Sequence, residues 1–289
     1  MAERLFPFGP EEIEHCNYED CRVAILPIPY EGTVSYGGGT SKGPAALLKA
    51  SANLEYYDEE LDQDTCDIGI HTLPPVDIAA TPAAMMENIR EAALKPVKDG
   101  KFLCAIGGEH SVTKGILDAL IEQRGKDFGV LQLDAHADLR DKYDGSPHSH
   151  ACIMRRVHDM GLPYAQAGIR SMSREDADFV KKNKRKIFFA RDMQGDASWM
   201  DEILVGLPER IFITIDIDCL DPSIMPSTGT PEPGGLDWHT TTAFLKKVAQ
   251  EKEVIGFDLV ELAPIEGINA PDFLAAKLVY RLLGYIFKV

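Results

Sequence analysis

Leu131-Gln132-Leu133-Asp134-Ala135-His136-Ala137-Asp138 sets two carboxylates and an imidazole within five residues, directly after an apolar stretch that reads as a buried strand. A second stretch of the same design lies far downstream, where Ile211-Phe212-Ile213-Thr214-Ile215 leads into Asp216-Ile217-Asp218. Working outward, apolar runs of strand length fall at 22–28, 67–71, 102–106, 128–134, 164–169, 186–190, 211–216 and 254–259. Helical spacing fills the intervals at 82–97, 112–122, 174–182, 240–250 and 272–287, the first with Thr81 as N-cap and Pro82 at the first helical position. Alternation of this kind predicts an α/β fold: a mostly parallel sheet of about eight strands with helices on both faces. No repeat, low-complexity segment or linker divides the chain, so residues 1–289 read as one domain.

The 289 residues are 45% hydrophobic, enough for a full core. The N-terminus has no apolar signal core, and no segment approaches 18 uncharged apolar residues; the expectation is an unexported, cytoplasmic protein with six reduced cysteines. A formal net charge of −16 argues against nucleic acid or an anionic membrane as a partner.

Ligands of open α/β sheets bind beyond the carboxyl ends of the strands. Asp134 and Asp216 fall at such ends, as do the turn Gly107-Gly108-Glu109-His110-Ser111 and Glu261. Extended chain from Asp134 to Asp138 would span roughly 13 Å, so the chain must curl after Asp134 for both to reach one ion. Asp216 and Asp218 would lie about 6.6 Å apart if extended. His110 adds a second imidazole. Four carboxylates this close need more charge than one divalent ion carries. Two ions balance them, held roughly 3.5–4 Å apart by a bridging carboxylate. Oxygen-rich ligation with two imidazoles and no thiolate favours manganese over zinc. Water between two such ions loses a proton near neutral pH and can attack an electrophilic carbon.

Other features carry less. The glycine-rich stretch Tyr36–Pro44 fits neither phosphate-loop pattern and reads as a substrate-side loop entering a helix at Pro44. His15, His71, His158 and His239 read as structural or surface residues, and the basic run 181–186 as a solvated helix end. His148 and His150 follow the Asp134–Asp138 motif closely enough to line its pocket, with a proton-shuttling role open to either.

The three acid- and histidine-bearing motifs, continued by Cys219-Leu220-Asp221-Pro222 and by Thr228-Gly229-Thr230-Pro231-Glu232-Pro233-Gly234-Gly235, resemble the ureohydrolase family of arginases and agmatinases, from about Arg22 to the C-terminus. The resemblance implies a three-layer α/β/α fold, two Mn(2+) per subunit, a trimer or hexamer, and hydrolysis of a small cationic guanidino substrate to urea and an amine. Carried over by position, His110, Asp134, Asp138 and Asp216 hold one manganese, and Asp134, His136, Asp216 and Asp218 hold the other. Glu261, in Asp258-Leu259-Val260-Glu261, pairs with the guanidinium. His150 binds substrate and transfers protons, and Asp138 orients the nucleophile and passes its proton.

Departures bear on the substrate. Glu109 stands where the family often has Asp. Arginases grip the α-carboxylate with a Ser-Gly-Asn segment where this chain has Asp144-Gly145-Ser146-Pro147-His148-Ser149-His150, and place an acid where it has Ser173. The resemblance therefore points to agmatine, giving putrescine and urea. Arginine, guanidinobutyrate, formiminoglutamate and aminopropylagmatine are the alternatives. More distant ones are a zinc deacetylase on a related fold, with fewer acidic ligands, and a catalytically inactive homologue.

Overall fold

The computed structural model of the chain describes residues 6–288 except 11 and 15; His15 and the first five residues lie outside them. Among the described residues ten strands form: β1 (Val23–Ile28), β2 (Tyr57–Asp58), β3 (Gln63–Asp64), β4 (Ile70–Thr72), β5 (Phe102–Gly107), β6 (Gly129–Leu133), β7 (Tyr164–Ile169), β8 (Phe188–Phe189), β9 (Arg210–Asp216) and β10 (Glu253–Val260). The helices are α1 (Gly43–Ser51), α2 (Pro82–Lys98), α3 (Thr113–Arg124), α4 (Ile153–Asp159), α5 (Arg174–Lys182), α6 (Ser198–Val205), α7 (Trp238–Glu251) and α8 (Ala270–Ile286). Eight strands make one sheet in the order β4-β1-β5-β10-β9-β6-β7-β8. Every pairing in it is parallel.

Because successive strand residues point to opposite faces, each strand feeds two cores. Ile25, Ile106, Leu131, Ile213 and Phe257 pack with α1, α6, α7 and α8. Leu26, Ala105, Val130, Phe212 and Ile255 pack with α2, α3 and α4. The result is three layers, α/β/α. Burial on both faces is why these strands read as apolar runs.

Local chemistry sets the helix starts. Thr81 Oγ1 accepts from Ala84 N (3.3 Å) ahead of Pro82, and Ser173 and Asp176 form a reciprocal capping box on α5. The strand expected at 67–71 forms later, at Ile70–Thr72, because Thr65–Ile68 winds into a 3-10 turn. That expected at 186–190 shrinks to two residues. The hairpin β2–β3 and the short helices α4 and α6 carry too few periodic residues to be foreseen. Residues 181–184 are exposed at the end of α5, and His71 Nδ1 lies 2.9 Å from Cys16 O.

The order has a functional consequence. The strands ending at Gly107, Val260, Asp216 and Leu133 (β5, β10, β9 and β6) are immediate neighbours at the centre of the sheet. Chain order breaks there, which is where ligands collect in such folds.

Candidate metal centre

β6 stops at Leu133, and the chain then turns away from the sheet; Asp138 has φ 51°, a left-handed conformation uncommon outside glycine. This is the curl that the spacing of Asp134 and Asp138 requires. At the next strand the expected extended spacing is absent. β9 ends at Asp216, Ile217–Cys219 is a 3-10 turn, and Asp216 Oδ1 accepts from Asp218 N (2.9 Å). A short acceptor at a strand end bends the backbone in this way. The third segment leaves β5 through Gly107 and Gly108; a Cβ on Gly108 would stand 2.0 Å from Tyr30 O, so only glycine fits beneath the end of β1. The fourth leaves β10 at Glu261, also left-handed (φ 65°), whose N–H donates to Gly108 O (2.8 Å). Two strained non-glycine residues thus flank the centre.

These turns bring the expected ligands together. His110 Nδ1 lies 3.1 Å from Asp134 Oδ2 and 3.3 Å from both Asp138 Oδ2 and Asp216 Oδ2. His136 Nδ1 lies 2.9 Å from Asp218 Oδ2 and 3.6 Å from Asp134 Oδ1. Two groups with spacing suited to a metal ion follow, His110–Asp134–Asp216 and Asp134–His136–Asp218. They share Asp134. Asp138 stands beside the first group, and Asp216 joins that group alone.

The electrostatics of the protein without metal are those of a crowded anion cluster. Burial and the adjacent Asp134 carboxylate push Asp138 up to about 7. Burial, with Asp218 and Asp134 close by, raises Asp216 well above the carboxylate range. Although burial opposes it, the Asp134 and Asp218 carboxylates hold the His136 imidazole up to about 12. His110 Nδ1 is buried with no hydrogen-bond partner while facing three carboxylates. An orphaned imidazole nitrogen among converging acids fits a pair of divalent cations.

Around the ligands lies a support that the motifs do not announce. His110 Nε2 is 2.9 Å from Thr214 Oγ1. Asp134 Oδ2 accepts from Gln132 Nε2 (2.6 Å), and Gln132 Oε1 accepts from Gln166 Nε2 (2.6 Å). Asp218 Oδ1 accepts from Ala135 N (2.9 Å). Gln132 and Thr214 are polar residues inside otherwise apolar strands, and that interruption is the sequence signal for them.

A cavity of about 250 Å³ opens onto the cluster. Glu261 and His150 line it, as do Gly37, Tyr143 and the exposed Tyr36. Of the glycine-rich stretch Tyr36–Pro44, only Tyr36 and Gly37 line the cavity; the rest leads through a 3-10 turn into α1, which begins at Gly43. Glu261 Oε1 accepts from His110 N (2.7 Å), and burial above all pushes its carboxyl up to about 8. His150 Nδ1 lies 3.2 Å from Thr33 Oγ1, and burial lowers the imidazole below its ordinary value. Glu109 is not a ligand. Its carboxylate accepts from Gly32 N (2.7 Å), Thr33 N (2.6 Å), Thr33 Oγ1 (2.7 Å) and Ser111 Oγ (2.5 Å), tying the loop after β1 to the metal motif. His148 is not among the cavity-lining residues.

Comparison with known proteins agrees with this geometry. The Arginase family profile matches residues 21–284. An N(1)-aminopropylagmatine ureohydrolase of Synechocystis sp. is 45% identical, over 97% of this chain and 95% of its own. One from Thermus thermophilus is 42% identical, over 92% and 91%. The solved agmatine ureohydrolase of Thermoplasma volcanium superposes with a TM-score of 0.88 at 28% identity, covering 99% of this chain and 95% of that one. With this match over most of its length and a two-group metal site at the expected strand ends, the chain belongs to the arginase family, as a hydrolase of guanidino compounds.

Proposed function

We propose that the protein hydrolyses the guanidino group of N(1)-aminopropylagmatine, releasing urea and the corresponding triamine, with two manganese ions per subunit. Two lines support this substrate over agmatine, which the motifs alone favour: the 45% and 42% identity to proteins of that name, and a cavity mouth bearing an aromatic ring, Tyr36, 87% exposed. Such a ring offers a face to the additional ammonium of the longer substrate. A guanidino amine of either length suits a site without the segment with which arginases grip a carboxylate.

The observation that carries the substrate class is Glu261. Its carboxyl is buried in the cavity, and among the described residues its hydrogen bond comes from His110 N alone. A guanidinium entering beside it would keep the carboxylate ionised and present two N–H groups to it at once. His110, Asp134, Asp138 and Asp216 would hold one cation, and Asp134, His136 and Asp218 the other; Asp216, which lies in the first group of the metal-free protein, would be shared with the second once both cations bind. When bound, the pair would supply a nucleophile from water at neutral pH and hold it beside the guanidinium carbon. Asp138 orients the attacking water and takes its proton. His150, with Nδ1 toward Thr33, would take up at Nε2 the proton that Asp138 removes from the water and pass it to the departing amine. The same reading takes residues 1–289 as one catalytic domain acting in the cytoplasm as a homo-oligomeric trimer or hexamer; among the described residues no helix is long and apolar enough to cross a membrane.

Urea release from the manganese-loaded protein tests the assignment. The expected result is a kcat/KM for N(1)-aminopropylagmatine about tenfold or more above that for agmatine, the scale of one ammonium–aromatic contact. Equal or better use of agmatine would make it an agmatinase, the second reading, favoured by the Thermoplasma volcanium superposition. No urea from any guanidino compound would leave an inactive homologue.

A further inference from the structure

Arg170, the first residue after β7, spends its guanidinium on peptide oxygens. Nη2 donates to Asp218 O (2.7 Å), Glu232 O (2.7 Å) and Leu220 O (3.2 Å). Nε donates to Glu232 O (3.1 Å), and Nη1 reaches Gly168 O (3.3 Å) and Cys219 O (3.4 Å). The slot is kept open by glycine: a Cβ on Gly235 would stand 2.7 Å from Nη2. One planar fork thereby joins the end of β7, the turn after β9 and the segment around Glu232.

The two oxygens held most closely belong to residues whose side chains face one imidazole from both sides. Asp218 Oδ2 lies 2.9 Å from His136 Nδ1, and Glu232 Oε1 lies 3.9 Å from His136 Nε2. A metal-bound histidine gains orientation and basicity when its other ring nitrogen faces a carboxylate. His110 obtains its counterpart without Arg170, from Thr214 within β9.

We infer that Arg170 is a positioning residue for one metal position alone: by fixing Asp218 and Glu232 it builds the Asp134–His136–Asp218 group, while the His110–Asp134–Asp216 group stands on the strands themselves. This rests on the metal roles proposed above for those residues. Lysine cannot replace it, since an ammonium is a single point with no fork to span three segments.

The test is titration of the metal-free protein with Mn2+, followed by calorimetry and by the electron paramagnetic resonance of the bound ions. The wild type should take up two Mn2+ per chain and show a spin-coupled pair; fewer than two would sink the dimetal reading itself, whatever Arg170 does. In R170K the first Mn2+ should bind as in the wild type, and the second more weakly by on the order of 10–100-fold, the cost typical of a lost outer partner. The pair signal should give way to that of an isolated ion, in a metal-free protein that still unfolds in one cooperative thermal transition. E232Q, which leaves the clamp intact, should weaken the same position. Two wild-type affinities in R170K, or equal loss at both positions, would overturn the inference. If R170K does not fold, E232Q decides: weakening confined to one position supports the inference, and unchanged binding overturns it.

Discussion

The carboxylate of Glu261 and the backbone N–H of His110 are joined by a 2.7 Å hydrogen bond between the ends of two adjacent strands, β10 and β5. Through it, the residue proposed to face substrate and the residue proposed to hold metal share one rigid edge. Substitution at Glu261 should therefore separate the two roles. Glu261→Gln keeps an oxygen for His110 N but loses the charge opposite the guanidinium. Turnover should fall on the order of 10²-fold or more, the scale for one side of a buried charge pair, with two manganese ions still bound. Metal analysis of the variant beside its kinetics checks this; loss of an ion would show that Glu261 acts through the metal centre.

Asp134 is common to both metal groups, whereas His136 belongs to one. Asp134→Asn should weaken both positions by more than the roughly 10–100-fold typical of a lost outer partner, and His136→Asn mainly one. Stepwise metal titration distinguishes the two patterns, and equal effects of the two substitutions would contradict the shared role.

Metal uptake should expel protons. Without metal, Asp138 is pushed up to about 7 and Glu261 to about 8, each chiefly by burial, so both are mostly protonated at about pH 6. Cations favour the ionised forms, and affinity should climb between pH 6 and 8. Stability of the metal-free protein follows the opposite course. Unfolded carboxyls titrate near pH 4, so from there to about 8 the folded state binds more protons, and stability falls as pH rises through that window. His136, raised to about 12, acts in the same direction above its unfolded value. Asp134, held low by His110 and His136 against its burial, contributes the opposite slope only below that window. The metal-free thermal midpoint should be higher at pH 5.5 than at pH 8, with the difference reduced when manganese is present; a flat or rising profile would refute the account.

Thr33 serves His150 from the loop after β1. Its Oγ1 donates to Glu109 Oε1 (2.7 Å), accepts from His150 N (3.1 Å) and lies 3.2 Å from His150 Nδ1. Thr33→Val preserves shape and removes these contacts. Turnover should drop roughly tenfold, a fraction of the 10²–10⁴-fold that a positioned proton donor supplies, with metal content intact. Unchanged kcat would remove His150 from the proton-transfer role or Thr33 from its support.

Far from the site, the buried Arg281 of α8 bonds Asp58 Oδ2 (2.9 Å), Glu59 Oε1 (2.8 Å) and Glu60 Oε2 (3.0 Å). Arg281→Met strands the fully buried Asp58 with Lys277 at 3.5 Å as its remaining cation. The loss should be about 3–5 kcal/mol in urea unfolding. A change below 1 kcal/mol would mean that the acidic turn relaxes into solvent.

The sheet strands were legible because burial on both faces leaves a continuous apolar signature, and the motif residues because acids and imidazoles rarely end such strands without purpose. Hence the runs at 102–106 and 211–216 match β5 and β9 closely, and the expected ligands converge. Arg170, Thr33 and Gln166 were not legible. Each acts on a partner 29 to 117 residues away, through peptide oxygens, a hydroxyl or an amide, and only the order of strands reveals such partners. Substrate length lay equally beyond the motifs, since a second ammonium calls for surface at the cavity mouth and leaves the ligand set unchanged.

The wedge of β10 and β9 between β5 and β6 governs how the molecule comes into being. As the chain emerges from the ribosome, β4-β1-β5 and β6-β7-β8 can each assemble early, and both then expose a raw inner edge of unpaired backbone until residues 210–260 arrive to close the seam. The segment 210–260 is thus the keystone of the whole arch, and chains cut short before it are left with two adhesive edges instead of a smaller version of the enzyme.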